Sequence, residues 1–132
     1  WAKRHPYQGS VGIPLVVRGP GVRKGVTNND PATNLDLTAT FLDYAGLKRP
    51  AGMDSRSLRP LLSGKQRAIR DHVLSGMDDW RLVMQGPYKY IRGWEKEPLL
   101  FDLHNDPREN ATRNGAASPS APGSAAFWRR GC

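Results

Sequence analysis

Four short runs rich in strand-forming residues lie close together in the second half of the chain and constrain its fold more than any other feature. They cover residues 72–75, 80–85, 88–92 and 99–103. Gly86 and Pro87 separate the second run from the third at the distance of a hairpin turn. Several short strands with short gaps between them are typical of an antiparallel meander. The sequence therefore predicts a small four-stranded antiparallel sheet.

The first half of the chain carries a different pattern, which begins with a short continuous apolar run over residues 11–17. Such a run suits a strand buried on both faces, as in a parallel sheet. Pro14 has no N–H to donate to a ladder, so the regular strand is expected to begin at Leu15. The turn residues 19–21 then close it.

A helix is predicted over residues 34–45, where apolar residues repeat every three to four positions. Gly46 follows at the position where a left-handed residue ends a helix. Asp36 and Asp43 mark the single polar strip, so we interpret them as a cap and a solvated face rather than as paired catalytic acids. One further helical turn is expected around Pro60. Together with the strand at Leu15, this helix predicts an α/β layer with the small sheet appended.

Charge and composition exclude several function classes. The chain has 20 Lys and Arg against 12 Asp and Glu, but the net charge of +8 is spread along it. A nucleic-acid binder usually concentrates its cations on one stripe, so no nucleic-acid partner is expected, although a basic anion- or nucleic-acid-binding module remains an alternative. No apolar run approaches the roughly 20 residues of a membrane span. Cys132 is the single cysteine, and no metal site is predicted from the three histidines.

Three segments, in this order and spacing, resemble the sulfatase family of the alkaline-phosphatase-like superfamily. Residues 1–21 are similar to the family stretch W-x-K-x-x-x-Y-E-G-S-x-R-x-P-L-I-x-x-x-P-G, with Gln8 where glutamate is usual. Residues 34–64 resemble the D-L-x-P-T-L-L-D-L-A-G-L helix and the D-G-x-S-L-x-P-L-L-x-G pattern after it. Residues 88–109 resemble K-Y-I … L-Y-D-L-x-x-D-P-x-E near the end of sulfatases.

The resemblance implies the C-terminal part of a sulfatase, an enzyme that cleaves sulfate esters with a formylglycine nucleophile and a calcium ion. The formylglycine motif, C-x-P-x-R or S-x-P-x-R, does not occur in this sequence, and neither do the Asp-rich calcium ligands. The expectation is therefore a fragment that is inactive alone and whose partner is the missing N-terminal catalytic half. A phosphoesterase of the same superfamily is an alternative, as is a purely structural C-terminal subdomain. Many relatives are exported to the periplasm or secreted, but the compartment stays open.

Lys3 is the position at which the resemblance carries catalytic chemistry. The matching lysine in sulfatases contacts the sulfate oxygens, and an ammonium can stabilise negative charge that builds there in the transition state. His5 is a further substrate-binding candidate, with an exposed loop histidine as the alternative. Trp94 is a packing residue or the rim of a substrate cleft.

The same resemblance divides the chain into three parts. Residues 1–64 are expected to end the catalytic α/β domain, and residues 65–112 to form a C-terminal antiparallel sheet subdomain. Residues 113–132 shift to Ala, Ser, Gly and Pro without periodicity. Such a composition does not bury enough apolar surface to offset its ordering entropy, so this tail is predicted to be disordered.

Overall fold

The computed structural model describes residues 4–113, so Lys3 and nearly all of the predicted disordered tail lie outside the described residues. Three helices and four strands occur within that range. They are α1 (Gln8–Val11), α2 (Asp36–Tyr44), α3 (Arg59–Leu62), β1 (His72–Met77), β2 (Trp80–Gln85), β3 (Tyr88–Arg92) and β4 (Leu99–Asp102). The described chain forms two compact units. We call residues 4–13 with 74–113 the sheet unit and Pro14–Val73 the helical unit.

The four strands form one sheet in the order β1-β2-β3-β4, and the predicted four-stranded antiparallel sheet is confirmed. In the register, Leu82 lies opposite Ile91 and Ile91 lies opposite Leu99. Gly86 turns the chain between β2 and β3 with a φ of 54°, a backbone conformation that glycine adopts without steric cost. The mixed α/β class is confirmed as well.

The core of the sheet unit lies on one face of this sheet. Its buried members are Trp80, Leu82, Ile91, Leu99 and Phe101. Side chains alternate across a strand, so residues two apart, such as Trp80 and Leu82, share the buried face. Burying each large apolar side chain contributes about 1.5–3 kcal/mol. Tyr7 and Val11 pack against this cluster from the N-terminal segment.

The helical unit is organised by α2, whose prediction from periodicity is confirmed. Gly46 follows the helix with a φ of 72°, as a left-handed terminating residue should. The Thr40 hydroxyl donates to the Asp36 carbonyl at 2.6 Å and accepts the Leu58 N–H at 2.8 Å. This side chain therefore connects α2 to the segment that enters α3. The predicted helical turn around Pro60 is α3 itself.

Asp36 is neither the cap nor the solvated residue that the helix pattern predicted, and Leu35 occupies the N-cap position of α2. It is fully buried and accepts the backbone N–H of Thr33 at 2.9 Å and that of Arg56 at 2.8 Å. The Arg70 guanidinium is its third partner. These donors lie before the helix and well after it in the sequence, so the polar strip of α2 faces protein donors instead of water. That makes burial of the charge tolerable.

The strand expected to begin at Leu15 is also not formed. Residues 12–18 have no regular secondary structure, and Val16 is 92% exposed. A strand needs a neighbour to satisfy its backbone N–H and C=O groups, and no strand of the described residues pairs with this run. The domain boundaries at residues 64 and 112 refer to a larger enzyme and stay a prediction. Within residues 4–113, no helix has the length and apolarity needed to cross a bilayer.

Candidate functional site

The segment that directly follows Lys3, residues 4–8, is attached to the sheet unit at both of its ends. We call it the anchored segment. At its start, the indole Nε1–H of Trp80 donates to the Arg4 carbonyl at 2.8 Å. Trp80 is almost fully buried, so its N–H needs such a partner. The Arg4 guanidinium also pairs with the carboxylate of Asp78, just before β2. The residue after Lys3 is thus held through its backbone, while its exposed ion pair with Asp78 adds little.

A buried ion pair holds the other end of the anchored segment. The Lys89 ammonium on β3 lies 2.6 Å from Oε1 of Glu109, and both side chains are withdrawn from solvent. Oε2 of the same carboxylate accepts the backbone N–H of Gln8, the first residue of α1, at 2.5 Å. Desolvation lowers the pKa of Lys89, and the neighbouring Glu109 carboxylate opposes that shift. Glu109 has a φ of 57°, so its carboxylate is presented from a left-handed turn.

Aromatic rings cover the side of the anchored segment. The His5 ring meets Trp94 edge-on with 4.9 Å between centroids, and Tyr7 contacts Trp94 at 6.3 Å and Phe101 at 6.1 Å. Tyr7 thus packs against the core of the sheet unit. His5 remains exposed while Trp94 is half-buried, so this pair of rings lies at the surface of the sheet unit. His5 as a substrate contact stays a prediction.

The pair that anchors Gln8 was not anticipated as a unit. Lys89 and Glu109 both occur in the segment that resembles the family, and Lys89 lies in a predicted strand, yet no contact between them was predicted. The strand pattern holds a signal for Lys89, because it lies two residues before Ile91 and therefore on the buried face of β3. A lysine on an apolar face needs a buried counter-charge. Nothing in the sequence pattern identifies Glu109 as that partner, since it comes from a distant turn.

No metal centre is formed by the part of the chain that the structure describes. Within residues 4–113 no three His, Cys, Asp or Glu side chains come together in a way that could hold an ion. These residues do not fit the calcium ion that the sulfatase resemblance implies.

Comparison with known proteins assigns the family. Residues 1–119 match the family described as "N-sulphoglucosamine sulphohydrolase, C-terminal". Arylsulfatase K of Danio rerio is 38% identical over 128 residues, which cover 87% of this chain and 24% of the relative. Choline-sulfatase of Rhizobium meliloti (strain 1021) is 32% identical over 130 residues, covering 92% of this chain and 25% of the relative.

Solved structures agree with this assignment. The structure of a 2-O GAG sulfatase superposes with a TM-score of 0.59 at 28% identity, over 84% of this chain and 26% of that one. The chain thus spans about a quarter of the length of these relatives. The match to the C-terminal family model covers most of the chain, and the similar sequences and the similar structure are also sulfatases. The chain therefore belongs to the sulfatase family of the alkaline-phosphatase-like superfamily, in the part of that family that forms its C-terminal domain.

Proposed function

We propose that this chain supplies the sulfate-contacting cation of a sulfatase active site, with Lys3 as the catalytic residue and His5 at the substrate rim. The observation that carries the proposal is the anchored segment. The backbone of residue 4 is held by Trp80, and that of residue 8 by the buried Glu109 carboxylate. A side chain that must meet a developing charge needs a backbone held in place. Lys3 directly precedes the first of these attachments.

The chemistry proposed for Lys3 is electrostatic. A lysine ammonium carries a compact positive charge and three N–H donors. When the S–O bond of a sulfate ester breaks, negative charge grows on the sulfate oxygens and on the leaving oxygen. A donor placed there in advance stabilises the transition state more than the ground state. The proposed reaction also needs a formylglycine and a calcium ion, and the residues that would supply or hold them do not occur in this sequence. The isolated 132-residue chain is therefore expected to be inactive.

The proposed substrate class is a sulfate ester. The names of the relatives indicate different alcohol parts for that ester, choline in one case and a GAG in another. The alternative of a phosphoesterase on the same scaffold predicts the reverse preference between two otherwise identical esters. 4-Nitrophenyl sulfate and 4-nitrophenyl phosphate are such a pair, since they share the leaving group. Faster hydrolysis of the phosphate by the enzyme that contains this chain would favour the alternative.

The decisive experiment uses the enzyme expressed from the whole reading frame around Trp1. We expect the frame upstream to encode C-x-P-x-R or S-x-P-x-R and an Asp pair. In that enzyme Lys3→Ala should lower kcat/KM for 4-nitrophenyl sulfate by about 100-fold or more, as loss of one pre-organised donor does elsewhere. Lys48→Ala removes the same charge from an exposed position and should change kcat/KM less than about twofold.

Two results would contradict the proposal. One is an equal effect of Lys3→Ala and Lys48→Ala on kcat/KM, because the loss would then follow net charge alone. The other is clear hydrolysis of 4-nitrophenyl sulfate by the purified 132-residue chain, because the nucleophile would then lie within this sequence.

A further inference from the structure

The sheet of the sheet unit has a second face, on the side opposite the core, which we call the outer face. Lys89 and Ile91 of β3 are buried on the core side. Side chains alternate along a strand, so Tyr88 and Tyr90 lie on the outer face. When one face of an antiparallel sheet meets water, that face usually carries polar residues. Two tyrosines in succession on the outer face depart from that pattern.

An apolar row crosses the outer face over three strands. In the register, Val83 of β2 lies opposite Tyr90, and Tyr90 lies opposite Leu100 of β4. All three side chains are half-buried, and none of them is among the described residues that pack against the core cluster. The row therefore still presents apolar surface to solvent, and a further layer over it would remove that surface from water.

The last described residue of the chain is attached at the edge of this row. The Arg113 N–H donates to the Leu100 carbonyl at 2.7 Å, and the Arg113 guanidinium lies 3.8 Å from the Asp102 carboxylate. Leu100 is itself a member of the row. Residues 114–132 therefore start beside the outer face.

The sequence after Arg113 combines a linker with one aromatic pair. Residues 114–126 contain only Asn, Gly, Ala, Ser and Pro, and Phe127 and Trp128 follow them directly. A flexible chain from Arg113 to Phe127 spans about 20 Å. The row is about 10 Å wide, because neighbouring strands lie about 4.8 Å apart. A linker of this reach keeps the aromatic pair at an effective concentration of about 1 mM over the row.

We infer that Phe127 and Trp128 dock on the outer face and cover its apolar row. They are the two large apolar side chains of residues 114–132, and aromatic rings pack well against aromatic and β-branched residues of a sheet. The predicted disorder of the tail then concerns its linker, residues 114–126. Docking involves no turnover, so this inference does not depend on the role proposed for Lys3.

The single cysteine allows a direct test on the full 132-residue chain. A nitroxide attached to Cys132, close to Trp128 in the sequence, broadens the NMR signals of amides near it. We expect broadening along the row, at Val83, Tyr90 and Leu100, relative to the same chain with the nitroxide reduced. Phe127→Ser/Trp128→Ser should lower the ratio of docked to free tail about tenfold or more, because both rings then leave the face.

Two matched controls separate ring packing from other effects. Arg129→Ser/Arg130→Ser changes the next two residues without removing a ring and should alter the ratio less than about twofold. Tyr90→Ser interrupts the row and should reduce the broadening. Leu47→Ser removes an exposed apolar side chain of the helical unit and should leave the broadening unchanged. Circular dichroism confirms that each variant is folded, and Phe127→Ser/Trp128→Ser carries the test if Tyr90→Ser is not.

Four results would overturn the inference. Two of them are a lack of broadening along the row and an undiminished effect in Phe127→Ser/Trp128→Ser. The third is broadening of the α2 amides instead, because the rings would then lie on the exposed apolar residues of the helical unit. The fourth is equal broadening of an isotope-labelled chain by a separate nitroxide-labelled chain, because the rings would then dock on a second copy.

Discussion

The two units of the described chain are stabilised by different kinds of interaction. The sheet unit buries five large apolar side chains in one cluster, which includes Trp80 and Phe101. The helical unit buries only Ala39 and Leu58 as apolar residues, next to the polar Asp36, Thr40 and Ser55. Its donors converge on one carboxylate, that of Asp36. The sheet unit therefore relies mainly on apolar burial, to which the buried Lys89–Glu109 pair adds, whereas the helical unit relies mainly on a polar network.

The helical unit also exposes many large apolar side chains, as expected for a unit with a small apolar core. Many large apolar residues remain outside its small core: Leu15, Val16, Val26, Leu35, Phe41, Tyr44 and Leu47. A helix apolar on most of its sides normally packs against more than one element. With less apolar area buried, the helical unit is expected to open more readily than the sheet unit. Variants that act on one unit at a time can test that expectation.

Asp36→Asn should have the largest effect. The amide N–H₂ group would face other N–H donors, and Arg70 would lose its counter-charge. Breaking a buried ion pair in this way lowers the free energy of unfolding by about 3–5 kcal/mol. Hydrogen exchange of the α2 amides should then approach the unprotected rate, while the β3 amides keep their protection. The control is Asp43→Asn, whose ion pair with Arg59 is exposed and should matter far less.

An equal loss of protection in α2 and β3 would break the comparison between the units. It would mean that the two unfold together, as one cooperative body. Retained protection of α2 in Asp36→Asn would instead show that the polar network does not stabilise the helical unit.

The buried Lys89–Glu109 pair gives the next largest effect, in the sheet unit. Glu109→Gln leaves a buried ammonium without its carboxylate and should destabilise the unit by about 3 kcal/mol. Lys89→Met leaves the Glu109 carboxylate buried without its cation, so it should cost a similar amount. The double variant Lys89→Met/Glu109→Gln removes both charges and should cost less than either single change. Urea unfolding of the three variants measures the difference. A loss in the double variant as large as the sum of the two single losses would show that the unpaired buried charge is not the cause.

The smallest effect is a pH dependence located at Asp102. Its pKa is lowered from the ordinary 3.8, chiefly because the Asn105 side chain donates to the carboxylate. A lowered carboxylate pKa adds stability above the ordinary value, and this stability is lost as the pH falls through the folded value. Acid unfolding of Asp102→Asn should therefore depend less on pH below 3.8 than that of the unmodified chain. Identical acid profiles would remove Asp102 as the cause.

Local pattern was enough to predict the sheet and α2, because alternation, periodicity and turn residues act over a few positions. The buried networks could not be predicted in that way. Asp36 has a helix polar strip as its local context, and its partners Arg56 and Arg70 lie far along the chain. The run after Val11 has the composition of a buried strand, but a strand also needs a neighbour. The anchored segment became visible only when Trp80 and Glu109 were placed beside it.

The consecutive strand order of the sheet has a consequence for how the chain folds. Each strand neighbours the one before it in sequence, so the meander can assemble from nearby hairpins with little loop entropy to overcome. The attachments of the anchored segment instead span 76 residues to Trp80 and 101 residues to Glu109. These long closures come late on such a pathway. Residues 4–8 are therefore expected to attach to a sheet that has already formed.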